Sequence, residues 1–427
     1  MKMVIRLNQK NCKKLIYFQL IFVLCVYFFI SIFHFPSMLT YVTDVVNIIL
    51  LFCMFRIKSI NLNCVGGKYI KISIGLFLGS LVIGCILNLV SPILIIWGAR
   101  NLLRGFVFFV ACVKFLDAED VDKIFKIFFF AQIINFIVTL YQYFIVGIEQ
   151  DYLGGIFGTN QGCNGATNIF LIILLTYISV NYISKNIPIH MFALVAFSTL
   201  IIATLAEIKI YYIEFVVIIA LAILFTKPSF RTFLIIGLTF VGLIAAINIL
   251  KNIFPLQYET LVNVELLKEY ADARSGGYNI SRMNAFSDIN RLFFHDNAVL
   301  KLFGYGLGGC EMSSFSFLIS DFFKKYGAYN YRWFAHEMIY LQNGIVGIIL
   351  FINYFIQIFI HAFKKKRIFY NDKKVINYAT ITQIFSILVI VNIWYNQTIT
   401  TDFQYLIYVV LASFLIQFKT KKYSENA

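Results

Sequence analysis

The sequence predicts an all-α polytopic membrane protein. It reads as a single membrane domain over 1–427 with about twelve transmembrane helices and one large loop, 251–335, inserted between the ninth and tenth helices. Three observations predict it. The chain is 60% hydrophobic and only 13% charged, where a soluble domain carries roughly 25% charged residues. Apolar runs recur that are long enough, at 1.5 Å per residue, to cross about 30 Å of hydrocarbon or nearly so. Lys and Arg collect in alternate short loops, the positive-inside bias.

Taken in order, Met1 to Lys14 is basic (Lys2, Arg6, Lys10, Lys13, Lys14) and is assigned to the cytoplasm. Apolar runs follow at about 15–35, 38–56, 69–90, 92–115, 122–147, 164–183, 188–205, 209–226, 231–250, 338–361, 375–395 and 403–418. The first is too long for a signal-peptide core and lacks a small-residue cleavage site. An even number of spans leaves both termini cytoplasmic. The loops assigned inside hold Arg56, Lys58, Lys68 and Lys71, then Lys114, Lys123 and Lys126, then Lys185, then Lys227 and Arg231, then Lys364 to Arg367, and finally Lys419, Lys421 and Lys422. The short outer loops at Phe35–Ser37, Asn88–Ser91 and Asn396–Asp402 carry no Lys or Arg. The shortest pair of runs, 188–205 and 209–226, is joined by a tight outer turn at Ala206–Glu207.

By this parity 251–335 is extracytoplasmic. Leu261, Val264, Leu267 and Tyr270 fall at helical spacing, as do Phe286, Ile289, Leu292 and Phe293. Two or three short helices over the mouth of the bundle are expected, leading into a Gly-rich turn at Gly304–Gly309. The net charge of +15 resides in the loop clusters and so points to the bilayer, not to nucleic acid. No internal repeat is evident, which gives an inverted-repeat transporter no support.

The eight cysteines form no CxxC pair and no Cys/His metal spacing. Cys25, Cys53, Cys85 and Cys112 lie in apolar runs and read as packing residues. Cys163 and Cys310 fall on the outer side, which leaves a disulfide between them open. No metal site and no cofactor is expected.

Ionisable residues inside apolar runs are the candidate functional groups, because each Arg at a helix centre costs roughly 2.5–3.5 kcal/mol on insertion scales. Arg100 and Arg104 are four residues apart and share one helix face. They read either as an interfacial anchor beside Trp97 or as an anion site facing a wet cavity. Glu207 and Lys209 flank the turn into the eighth run. They read either as a surface pair or as a cation, held by Glu207, pointing into the same cavity. Glu214 is a candidate internal partner for one of the arginines. His336 lies where the large loop re-enters the bilayer. An imidazole suits general-base work near neutral pH, although a His at a helix start is often structural.

Three patterns then bear on family. The stretch Gly154-Gly155-Ile156-Phe157-Gly158-Thr159-Asn160 resembles a glycine–aromatic–glycine–Asn outer loop. Thr204-Leu205-Ala206-Glu207-Ile208-Lys209 resembles a Ser/Glu-plus-cation turn. Ser281-Arg282, the Phe303-Gly304-Tyr305-Gly306-Leu307-Gly308 turn and the His336-to-Gly347 helix occur in that order. Together they resemble the O-antigen polymerase and O-antigen ligase superfamily of bacterial surface-polysaccharide assembly. The resemblance covers most of the chain in layout and only about 40 residues in motif.

The resemblance implies a fold similar to GT-C-type lipid-linked glycosyltransferases in the bacterial plasma (inner) membrane. It implies a metal-independent, inverting transfer of a glycan from undecaprenyl diphosphate to a sugar hydroxyl. The partners implied are the lipid-linked oligosaccharide donor and acceptor, the bilayer, and a chain-length regulator. His336 matches the histidine that activates the acceptor, and Arg282 matches an arginine that holds the diphosphate. Lys209 stands where many relatives have Arg, which keeps the charge and loses the bidentate fork. The arginine that often precedes the first glycine loop is absent from Asp151-Tyr152-Leu153, and Arg100 or Arg104 is the candidate replacement. A repeat-unit polymerase making O-antigen or capsule is the leading expectation. A ligase with a lipid A-core acceptor and a flippase or other transporter are the alternatives.

Overall fold

The computed structural model describes residues 8–57, 67–227, 229–272 and 280–425. Lys2, Arg6 and Lys58, used above for the inside assignment, lie outside them. The described residues are helix and loop, with no strand among them. In chain order the helices are α1 (Gln9–Ile32), α2 (Val42–Arg56), α3 (Lys68–Leu87), α4 (Pro92–Phe115), α5 (Ala118–Tyr141), α6 (Asn164–Ile183), α7 (Ile189–Leu205), α8 (Lys209–Phe225) and α9 (Phe230–Ile253). The insertion contributes α10 (Pro255–Val262), α11 (Val264–Asp272), α12 (Ala285–Ile289), α13 (Ala298–Phe303) and α14 (Asp321–Tyr326). The chain ends with α15 (Ala335–Ile368), α16 (Lys373–Tyr395) and α17 (Gln404–Glu425). Among the described residues nine helices, α1 to α6, α9, α15 and α16, are long and apolar enough to cross a membrane. The other three expected runs are also helical. Of these, α7 and α8 are 17 residues each, about 25 Å at helical rise.

The distribution of polarity is that of a protein solvated by lipid. Apolar side chains such as Phe55, Ile86, Phe130, Phe233 and Phe240 are exposed, while Gln19, Asn47, Gln132, Asn135, Asn168 and Gln383 are buried. A water-soluble monomer rarely tolerates apolar exposure on this scale. In hydrocarbon the outer face costs nothing, and buried amides hydrogen-bond between helices. Gln132 Nε2 donates to Ser198 Oγ at 3.1 Å, and Asn47 Nδ2 donates to the Arg104 carbonyl at 3.1 Å. The helices α6 and α16 are mostly buried and form the centre, with α9 at the rim. Around them α15 packs on α16 and α3, α17 on α4 and α16, and α6 on α7 and α8.

Helix ends are set by ordinary capping chemistry. Pro92 occupies the first position of α4, where its missing N–H costs nothing. Asp117 and Asp120 form a capping box on α5, and Lys13 bridges both, at 2.5 and 2.7 Å. Lys419 donates to the carbonyls of Val113 (3.0 Å) and Leu116 (2.5 Å), which caps the end of α4. Lys374 pairs with Asp122 at 3.0 Å. The starts of α1, α5 and α16 and the end of α17 therefore share one end of the bundle.

The insertion covers the opposite end. Asn88 Nδ2 donates to the Gly304 carbonyl at 2.8 Å, and Trp97 Nε1 donates to the Met312 carbonyl at 3.0 Å. The 255–272 segment is two helices, because Asn263 breaks it: its Oδ1 accepts from Glu265 N (2.8 Å) and caps α11. The Phe286–Phe293 segment keeps its expected face, with Ile289 and Phe293 buried. There the α12 turn loosens into a π-type turn over Asn290–Phe294.

Two features depart from the sequence reading. The insertion forms five short helices among the described residues, α10 to α14, where two or three were expected. The tenth run is not a continuous helix: α15 breaks at Gly344, where φ is 61° and ψ is −167°. The Gly-rich turn mends the break. Tyr305 N donates to the Leu341 carbonyl at 2.9 Å, and Gly306 N donates to the Gln342 carbonyl at 2.8 Å. Those carbonyls would otherwise be orphaned in a low-dielectric interior. Space dictates the residue type: a Cβ on Gly344 would lie 2.3 Å from the Leu302 carbonyl, and one on Gly304 would lie 2.4 Å from Gln342 C. The half-helix from Ala335 to Asn343 is thereby held as a separate rod at the insertion end of α15.

Candidate functional site

That half-helix carries His336 in its first turn. Its start is fixed by Ala335 N donating to the Asn396 carbonyl at 3.1 Å. His336 is buried and stacks on Trp394, with ring centroids 5.5 Å apart and planes 16° apart. Nδ1 lies 3.3 Å from the Ile393 carbonyl, and Nε2 lies 3.1 Å from the Arg282 carbonyl. Both ring nitrogens thus face acceptors. A neutral imidazole satisfies one of them, and a hydroxyl can reach Nε2 only when the Arg282 backbone withdraws.

Arg282 belongs to the turn before α12, fixed by Ser281 N donating to Asp288 Oδ2 at 3.1 Å. Its guanidinium sits 4.3 Å from the Phe334 ring centroid, 5.1 Å from Tyr395 and 5.6 Å from Tyr270. Lys209, the first residue of α8, places Nζ 4.5 Å from the same Tyr270 ring. Neither Arg282 nor Lys209 makes an ion pair among the described residues. Arg282 and Lys209 therefore share one tyrosine with neither held in an ion pair among the described residues, and His336 abuts the backbone of Arg282. Glu207 does not hold Lys209 in an ion pair. Its carboxylate is half-buried, and burial pushes its pKa above the usual range despite the Lys209 charge nearby. Glu337, next to His336, is buried in the field of Arg282 and Asp288, close to the Phe334 backbone.

Arg100 and Arg104 lie elsewhere and are neutralised. Arg100 Nη2 contacts Asp44 Oδ2 at 2.7 Å, and its guanidinium lies 4.9 Å from the Trp97 ring and 5.2 Å from Tyr41. Arg104 pairs with Asp402 and sits 3.5 Å from Asp44. Asp402 also accepts from the Tyr27 hydroxyl at 2.7 Å. Apart from Asp44, these groups border a cavity of about 290 Å³ between α1, α4, α15 and the 397–402 loop. His336, Arg282 and Lys209 do not line it.

Glu214 is not an arginine partner, as the sequence had suggested. It accepts from Asn168 (2.9 Å) and Asn392 (2.6 Å) because α8 packs on α6 and α16. Cys163 and Cys310 are free thiols, buried apart: Cys163 against Gly154, Cys310 beside the Tyr331 hydroxyl that donates to its carbonyl. The sequence reading missed Asp402, Tyr27, Glu311 and the aromatic cage around Arg282. For Asp44 there was a signal, since a carboxylate in an apolar run demands a cation. For Asp402, almost 300 residues from Arg104, spacing offered none.

No protein-family model matches the chain, and no curated protein matches it.

Proposed function

We propose that the protein is a polysaccharide repeat-unit polymerase, a multi-pass enzyme of the bacterial plasma membrane. It transfers a glycan chain from undecaprenyl diphosphate to the terminal sugar of another lipid-linked repeat unit. The reading takes twelve spans, counting α7, α8 and α17, with both termini cytoplasmic and 251–335 outside. A GT-C-like architecture and O-antigen or capsule as product belong to the same reading.

The observation that carries it is that Arg282 and Lys209, neither in an ion pair among the described residues, meet on one tyrosine beside His336. In such a transfer the acceptor hydroxyl attacks the anomeric carbon. The bond from that carbon to the diphosphate oxygen breaks with inversion, and the diphosphate leaves with the bonding pair. Cations contribute to rate only where they grip the leaving group more tightly as its charge develops. Arg282 and Lys209 have that capacity because neither is tied in an ion pair among the described residues, Glu337 and Glu207 lying near them without pairing. Arg100 and Arg104 lack it, being held by Asp44 and Asp402. His336 takes the hydroxyl proton at Nε2 once the Arg282 carbonyl has moved away, so acceptor entry and loop rearrangement are one event.

The test is the surface-glycan ladder in cells whose chromosomal copy is replaced by Arg282→Ala or Lys209→Ala. Long chains disappear while single-repeat product and protein level persist. A normal ladder in Arg282→Ala removes the diphosphate role. Absence of even the single repeat would indicate a transporter.

A further inference from the structure

The cavity bordered by Arg100 and Arg104 serves none of His336, Arg282 and Lys209, yet it is built as a binding site. The partners present define the ligand. Three arginines in its lining, Arg100, Arg104 and Arg332, stand against two carboxylates, Asp402 and Glu311, with Asp44 behind Arg100 and Arg104. A diphosphate entering would gain little from Arg100 and Arg104, which are already paired, and would face Asp402 and Glu311. A metal ion would face the arginines. An apolar ligand would desolvate amides, hydroxyls and charges at several kcal/mol each. A neutral compound rich in hydroxyls escapes all three penalties, since each hydroxyl both donates and accepts.

A second, independent observation points to an absent ligand. Asn343 is 2% exposed and lines the cavity, and neither its Nδ2 nor its Oδ1 has a hydrogen-bond partner. Buried amides are seldom left in that state. Its position is enforced, because it ends the half-helix just before the Gly344 break. Beside it Glu311 is oriented by Asn101 Nδ2 and Gln342 Nε2, each at 3.0 Å, and burial holds its pKa above the usual carboxylate range. Tyr41 and Trp97 supply an aromatic rim, with ring centroids 6.3 Å apart. The volume of about 290 Å³ matches the lower end of small-molecule pockets, near 300 Å³.

We propose that this cavity is a saccharide subsite, which seats one neutral sugar residue against Asn343, Glu311 and Arg332 with Trp97 at its rim. The choice of a sugar among neutral polyols rests on the glycan-transfer reading; the polarity and neutrality of the ligand do not. Ile339, one of its walls, lies one helical turn along α15 from His336. A sugar bound there is next to the seat of the transfer, and the lipid diphosphate remains with Arg282 and Lys209.

The test uses full-length protein in lipid nanodiscs free of glycosidic detergent. Saturation-transfer NMR reads binding of glucose, galactose, mannose, rhamnose, N-acetylglucosamine and N-acetylgalactosamine, and phosphorus line-broadening reads inorganic pyrophosphate. At least one neutral sugar is expected to bind. Asn343→Ala and the isosteric Glu311→Gln each weaken it about tenfold without changing pyrophosphate binding, which also reports that they fold. Arg282→Ala does the reverse. Failure of every sugar to bind, or binding unchanged in both pocket variants, overturns the subsite. Pyrophosphate binding that depends on Arg100 instead of Arg282 overturns the division of labour. Sugar binding combined with a normal glycan ladder in Arg282→Ala would leave the subsite standing and refute the transferase reading.

Discussion

The break in α15 makes a quantitative prediction through Gly344→Ala. At φ 61° and ψ −167° the backbone occupies a region used almost only by glycine, at a cost of about 1–3 kcal/mol for another residue. The new Cβ would also lie 2.3 Å from Leu302 C and O. This is backbone that cannot rotate aside, and overpacking of this kind adds about 1–3 kcal/mol. If α15 instead straightens to relieve both, Tyr305 N and Gly306 N lose their acceptors, at about 1 kcal/mol each. Every route gives a loss of about 2–6 kcal/mol. Gly79→Ala is the matched control: the site is mid-helix in α3 with nothing within 4 Å of the added Cβ, so it should gain up to about 1 kcal/mol. The assay is reversible unfolding in mixed micelles with increasing SDS, followed by far-UV circular dichroism. Equal stability of Gly344→Ala and Gly79→Ala would show that the half-helix needs no break.

Other consequences follow from the charged groups. Arg104→Ala leaves Asp402 without its buried ion-pair partner, while Asp44 keeps Arg100, and should destabilise by about 3–5 kcal/mol; Arg104→Met with Asp402→Leu should cost less than the sum of the singles, read by the same unfolding assay. Glu311 has a raised folded pKa, so the folded state binds its proton more tightly than the unfolded state. Stability should fall as pH rises from the ordinary carboxylate range through that raised value, and should be flat outside this window. Glu311→Gln abolishes this part of the pH profile; an unchanged profile refutes the assignment. Lys209→Arg keeps the charge and adds a bidentate fork, so it should retain long-chain product that Lys209→Ala loses, as read on the glycan gel.

How much was legible in the sequence depends on how local the determinant is. Residues 92–115 and 164–183 are helical over the ranges their apolar runs give, because hydrophobicity and Pro92 act within the segment. Gly344 was read as an ordinary helix residue because its conformation is set by Leu302 and Gly304, some forty positions away. Arg100 and Arg104 were visible as costly intramembrane charges. Their use was not, because it depends on Asp44 and Asp402, which other helices supply. Arg282, Lys209 and His336 were grouped only through the family resemblance; their meeting at Tyr270 and Phe334 depends on how the insertion folds back. The closed contact of His336 Nε2 with the Arg282 carbonyl has no sequence signature at all.

The most direct measurement reconstitutes the purified protein in liposomes with a lipid-linked repeat unit from the same cells and follows release of undecaprenyl diphosphate together with glycan length. The wild-type protein should release one carrier per repeat added, without a nucleotide sugar. His336→Ala and Arg282→Ala should each lower the rate by at least about 10². Carrier release by the His336→Ala protein at the wild-type rate, or glycan crossing the membrane with no new linkage formed, would contradict the account.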